Sequence, residues 1–171
     1  MATARAGNVI GGGDFAEDRI VPDIWRAARE GKPLVLRNPN ASRPWQHVLD
    51  PLAGYFRFAE RLAAQSPGVL PPALNFGPRE QASVTVAALA EQLQRAFGND
   101  VAWEQAAEPG PPEKQTLALD ASRARQVLGW QAKLDTASSI AWTAEWYRAF
   151  DAGEDVAALM QRQVERYEAL P

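Results

Sequence analysis

Apolar residues recur at helical spacing in several stretches of the chain, and short strand-like apolar runs lie between them. In "RIVPDIWRAAREG", Ile20, Val21, Ile24, Trp25 and Ala28 share one stripe. This spacing predicts a helix that tolerates Pro22 in its first turn and stops at Gly31. Asp50 followed by Pro51 predicts an N-cap and first turn for a helix reaching about Ala64. Its buried side is expected to carry Leu52, Tyr55, Phe56, Ala59, Leu62 and Ala63. Ser83 is expected to cap the next helix, with Val86, Leu89, Ala90, Leu93 and Phe97 turned inward and Gly98 as its stop. Asp120 predicts a cap for a short helix in "ASRARQVLGW". Two closing helices are expected near 136–151 and 154–168. The first carries Ile140, Trp142, Trp146, Tyr147 and Phe150, and the second Val156, Met160, Val164 and Tyr167.

Short strands are predicted around Ala6, Val9 and Ile10, and in "PLVLRN", "WQHV", "ALNFG", "DVAWEQ" and "TLALD". The proline-rich "AAEPGPPEK" reads as a loop and as the best candidate for a mobile rim. The pattern is α/β, with helices outnumbering short strands. A length of 171 residues suits one domain, and 46% hydrophobic content with six Trp places it among globular chains. A net charge of −3 offers no basic field for nucleic acid, and one histidine limits metal chemistry, so neither partner is expected. The absence of cysteine excludes disulfides, thiolate catalysis and Cys-ligated zinc. No apolar run reaches the roughly 20 residues that span a bilayer. A soluble, cytoplasmic protein without a membrane partner is therefore expected. Strand-like sequence almost at Met1 is what a piece of a longer protein would show.

The stretch "RAGNVIGGGDFAEDR" fits G-x-G-x-x-A at Gly11, Gly13 and Ala16, a form of the dinucleotide fingerprint. Arg37 follows at about 20 residues, where an NADP-type arginine could sit. Asp14, Glu17 and Asp18 oppose a pyrophosphate there, as does a following helix interrupted by Pro22. Arg43, in a turn entering a strand, has the fixed donor fork that suits a phosphate, and the Asn8 amide could face the same ligand. His47 lies inside a short strand and is expected to be a hydrogen-bonded structural histidine. No tyrosine has a lysine four residues on, and no G-x-S-x-G, H-E-x-x-H or P-loop occurs. The residues themselves thus lead to an α/β domain with a candidate anion pocket around Asn8 and Arg43. A small NADP-binding domain using Gly11, Gly13, Ala16 and Arg37 remains an alternative.

Several segments recur together in a known family. "RAGNVIGGGDFAEDRIVPD", "LVLRNPNASRPWQHVLDPLAGY", "LNFGP", "LDASRARQVLGW" and "TAEWY" occur in this order in extended short-chain dehydrogenase/reductases acting on nucleotide sugars. The chain resembles the C-terminal half of such enzymes over nearly its whole length, and "RNPNxxRPWQHV" resembles the CDP-glucose branch. The resemblance implies the C-terminal substrate-binding part of an extended Rossmann-type nucleotide-sugar dehydratase, with the Rossmann domain largely missing. Residues 1–14 would end a Rossmann-type sheet strand and 15–50 would bind the nucleotide sugar. Residues 51–78 would pack back on the Rossmann part, and 79–171 would complete the substrate domain.

By this resemblance Asn8 would face the phosphates and Arg43 would grip the pyrophosphate. Arg19, Ile20 and Val21, with Leu34 and Leu36, would line the cytidine pocket, and Asn75 would lie near the cleft. Ala6 and Gly7 would approach the nicotinamide through backbone alone. Glu113 falls in a segment that often reads H-E-A in this branch and here reads Pro112-Glu113-Lys114. The family reaction oxidises C4 with NAD, eliminates water across C5–C6 and returns the hydride to C6. Its product in this branch is CDP-4-dehydro-6-deoxyglucose. None of its acid/base groups, and no metal ligand, falls in this chain. The chain alone is expected to be inactive and to bind no NAD, with NAD serving the full-length family enzyme. The expected partner is a CDP-sugar, either for an enzyme half or for a stand-alone nucleotide-sugar-binding module. Self-association through exposed core surface is also expected.

Overall fold

The computed structural model describes residues 1–66, 68–79, 84–98, 102–107 and 114–171. The chain begins with β1 (Thr3–Ala6) and β2 (Asn8–Ile10), which are separated only by Gly7. β1 pairs in parallel with β6 (Ala73–Phe76), whereas β2 pairs in parallel with β5 (Trp45–His47). Gly7 permits that change of partner because the backbone passes directly over Pro44. A Cβ on Gly7 would lie 2.8 Å from the Pro44 carbonyl oxygen. β3 (Leu34–Leu36) pairs in parallel with β8 (Trp103–Gln105), and β4 (Ser42–Arg43) pairs antiparallel with β7 (Val84–Thr85). The described strands therefore form four separate two-stranded sheets rather than one continuous sheet.

Among the described residues, six helices cover and connect these pairs: α1 (Ile20–Glu30), α2 (Leu49–Ala64), α3 (Val86–Ala96), α4 (Ser122–Leu128), α5 (Thr136–Asp151) and α6 (Val156–Glu168). The expected stripe of α1 holds: Val21, Ile24 and Trp25 are buried, and the helix ends on Gly31 at φ +62°. The α1, α3 and α5 faces meet around Ile24, Leu89, Leu93, Ile140 and Tyr147, with Leu34 and Leu36 of β3 between them. A second cluster joins Phe58, Leu74, Phe76, Leu128 and Trp130. Asp135 and Asp155 cap α5 and α6 by accepting hydrogen bonds from Ser138 N (2.7 Å) and Ala158 N (3.0 Å).

Four sequence expectations require correction. Asp50 does not cap α2, which begins one residue earlier. It is fully buried inside the helix, and its Oδ1 accepts from Lys133 N (2.7 Å) and the Tyr167 hydroxyl (2.9 Å). The buried face of α2 is Pro51, Gly54 and Phe58, while Leu52, Phe56 and Leu62 are exposed. On α6 the inward residues are Leu159, Gln163 and Tyr167, with Met160 and Val164 outward. "TLALD" contributes a single bridge, Ser42 to Thr116, and no strand. Ser83 and Glu113, with most of the proline-rich loop, lie outside the described residues. The cap observed for α3 is Thr85, whose hydroxyl accepts from Ala88 N at 3.1 Å. Among the described residues no helix is long and apolar enough to cross a membrane, and no cluster of potential metal ligands occurs.

Candidate functional site

Where β1 passes into β2, the backbone forms the floor of a cleft of about 830 Å³. One wall is the loop from Gly11 to the start of α1, and another is the Arg43–Trp45 segment. Leu117 and Leu119 close a third side. Ala6, Gly7, Asn8, Arg19, Ile20, Val21 and Arg43 all line this one cleft although they come from three separated segments. Each segment has a local reason to be there. Ala6 to Asn8 sit at the Gly7 crossover, and Arg19 to Val21 form the N-cap and first turn of α1. Arg43 ends β4. Its Nη1 donates to the carbonyls of Ser42 and Lys114, both at 2.9 Å, so the guanidinium is oriented by backbone before any ligand arrives.

The structure does not bring the remaining sequence candidates to this cleft. Leu34 and Leu36 are 3% exposed and point into the core, and the residue of that strand facing outward is Val35. Alternation along β3 forces this, since a strand cannot present both core leucines to a ligand. Asn75 lines a smaller cavity of about 390 Å³ together with Arg5, Asp120 and Arg123. Its Nδ2 donates to the Asp120 carbonyl at 3.2 Å. Sequence reasoning missed Pro44, Trp45, Leu117 and Leu119 as lining residues. The alternating leucines of "TLALD" were the available signal, but they read as one face of a buried strand.

The glycine loop performs a packing task. A Cβ on Gly12 would lie 2.0 Å from the Trp146 ring, and Gly13 takes φ +80°. Phe15 then enters an aromatic cluster with Trp25, Trp146, Tyr147 and Phe150. Asp14 and Asp18 place carboxylates on the loop beside the glycines, so a pyrophosphate cradled by Gly11 and Gly13 themselves would meet like charge. Arg37 faces Asp18 at 3.7 Å. These residues do not fit a dinucleotide cradle, which removes the physical basis for a small NADP-binding domain built on Gly11 and Gly13.

His47 is 1% exposed and sits edge-on to Trp142, with ring centroids 5.8 Å apart. Its Nδ1 accepts from Leu49 N at 3.4 Å, and burial lowers its pKa to about 4. The imidazole is neutral at pH 7 and belongs to the core, as expected for a structural histidine. Gln46 beside it is fully buried and donates to the Phe76 carbonyl at 2.8 Å, which ties β5 to β6 beneath the cleft floor.

No family model matches the sequence. The chain is 38% identical to CDP-glucose 4,6-dehydratase of Salmonella typhimurium over 167 residues, which cover 98% of this chain and 46% of that protein. It thus spans about half the length of the curated relative it matches. Among solved structures, UDP-glucuronic acid 4-epimerase from Bacillus cereus, in complex with UDP-glucuronic acid and NAD, superposes with a TM-score of 0.73 at 15% identity. The match covers 87% of this chain and 45% of that one. UDP-glucose 4-epimerase from Thermotoga maritima, with UDP-glucose, gives 0.73 at 20% identity, covering 86% and 46%. dTDP-glucose 4,6-dehydratase from Bacillus anthracis, in complex with NAD, gives 0.67 at 19% identity, covering 88% and 45%. By sequence the chain is similar to about half of CDP-glucose 4,6-dehydratase, and it shares the fold of the corresponding part of the nucleotide-sugar epimerases and dehydratase named above.

Proposed function

We propose that the cleft binds the nucleotide diphosphate of a CDP-sugar, and that the chain is the substrate-binding portion of a CDP-glucose 4,6-dehydratase. The observation that carries this reading is the convergence of Asn8, Arg19 and Arg43 on one cleft, whose lining is otherwise largely apolar apart from Asp14 and Asp18 on the glycine-loop side. Two guanidinium groups and an amide supply donors for a pyrophosphate, while Ile20, Leu117 and Leu119 offer an apolar surface for the base. The Salmonella relative supports CDP-glucose as the substrate. NAD is assigned to the complete family enzyme, and this chain would meet it only through backbone at Ala6 and Gly7.

Calorimetry with CDP, UDP and dTDP tests the proposal. CDP is expected to bind most tightly, and Arg43→Ala is expected to weaken it about tenfold to a hundredfold through loss of a charge-assisted contact. Equal affinity for CDP in the variant would overturn the assignment of Arg43. Purified chain supplied with CDP-glucose and NAD is expected to yield no 4-keto product. Self-association belongs to the same proposal and draws on Leu52, Phe56 and Leu62, which expose apolar surface along one helix.

A further inference from the structure

The loop between Gly11 and Arg19 is a strap along the cleft, contributing Gly11, Gly12, Asp14, Ala16, Asp18 and Arg19 to its lining. It has no strand or helix of its own, so its position depends on what lies behind it. Two different helices hold it. From α1, Arg26 donates to the carbonyls of Phe15 and Ala16, each at 3.1 Å. From α5, the Tyr147 hydroxyl donates to the Asp14 carbonyl. Phe15 lies on the same helix's aromatic surface, with ring centroids 5.1 Å from Phe150 and 6.1 Å from Tyr147. Phe15 as a residue is still 43% exposed, so it is only partly packed, whereas Tyr147 is fully buried. Near its far end, Asp18 takes φ +59°, a conformation that costs a residue with a side chain and persists only when its surroundings fix it.

We propose that Tyr147 is a positioning residue for the cleft: its hydroxyl, acting through the Asp14 carbonyl, sets the strap that presents Arg19 and thereby sets affinity for a nucleoside diphosphate. This rests on the nucleotide-sugar reading of the cleft. Tyr147 touches no ligand in this scheme. Burial raises its pKa, so the hydroxyl stays a donor across the physiological range.

The test compares Tyr147→Phe with Tyr167→Phe. The second change removes a hydroxyl of the same kind from the Asp50 contact, away from the strap. Two readouts are taken on the full chain: CDP affinity by calorimetry, and the rate of tryptic cleavage after the exposed Arg19. Tyr147→Phe is expected to bind CDP roughly fivefold more weakly, from the loss of one hydrogen bond, and to be cut faster at Arg19. Tyr167→Phe is expected to lower the melting temperature while leaving both readouts as in the wild type. Wild-type CDP affinity in Tyr147→Phe, or cleavage at the wild-type rate, overturns the positioning role alone. Equal loss of affinity in both variants overturns it too, because general destabilisation would then account for the effect. A wild type that binds no CDP overturns the reading of the cleft, and the positioning role with it.

Discussion

Gly12 is the residue whose missing side chain matters most. The Trp146 ring already occupies the space a Cβ would need, with Cγ at 2.0 Å and Cδ2 at 2.4 Å. Neither neighbour can give easily, because Trp146 is 5% exposed and stacks on Phe150 at an interplanar angle of 8°. Gly12→Ala is expected to cost about 3 kcal/mol, whereas Gly13→Ala, strained by φ but free of a clash, is expected to cost about 1 kcal/mol. Urea denaturation of the two variants would show this order, and equal stabilities would refute the packing role. Letters alone suggest a phosphate loop here. The carboxylates at Asp14, Glu17 and Asp18 argue against it, but the actual occupant of the space, Trp146, is remote in sequence and has no local signal.

At the scale of elements, the legible helices were those with one apolar stripe. α1 and α3 follow their spacing because each has polar residues on the opposite side. α2 has apolar residues all round, so periodicity alone could not choose its face. Leu52, Phe56 and Leu62 look like a core stripe, yet contact is made through Pro51, Gly54 and Phe58. Gly54 marks the true interface: its Cβ would lie 2.3 Å from the Phe76 ring, so only glycine allows this approach. Phe56 is 67% exposed, and Phe56→Glu is expected to change folding stability by less than about 0.5 kcal/mol. On the self-association proposal, the same variant sediments as a monomer at concentrations where the wild type does not. Identical sedimentation of the two would remove α2 as the contact.

For the whole molecule, pH reaches stability through two buried groups, the single histidine and Asp50. His47 has a pKa of about 4 when folded against 6.5 in its ordinary state, so between those values the unfolded chain holds more protons. Stability therefore rises with pH across this window and falls on acidification from about 6.5 to 4, with a slope approaching 1.4 kcal/mol per pH unit. Asp50 acts in the opposite sense, since burial raises its pKa and ionisation costs the folded state as pH rises. Denaturation of wild type and His47→Gln at pH 4.5, 5.5 and 7 separates the two, because only the histidine slope disappears in the variant. The cleft is also a property of the whole molecule. Asn8, Arg19 and Arg43 could be nominated singly or by family likeness, but nothing local in the sequence brings them together. Their convergence follows from the Gly7 crossover and the pairing of β2 with β5. Leu34 and Leu36 failed as candidates for a related reason, since only the partners of β3 determine which side is core.

The strand pairing also orders events during synthesis. Thr3 of β1 finds its partner only at Ala73, and Leu34 of β3 only at Trp103. The residues around the cleft floor thus leave the ribosome long before the segments that complete their ladders, and closing such distant pairs is slow. By contrast, α5 and α6 are consecutive and can dock as soon as both are made. A ribosome stalled before Ala73 would leave β1 without its β6 partner, so this ladder closes only after about 70 residues of intervening chain are made.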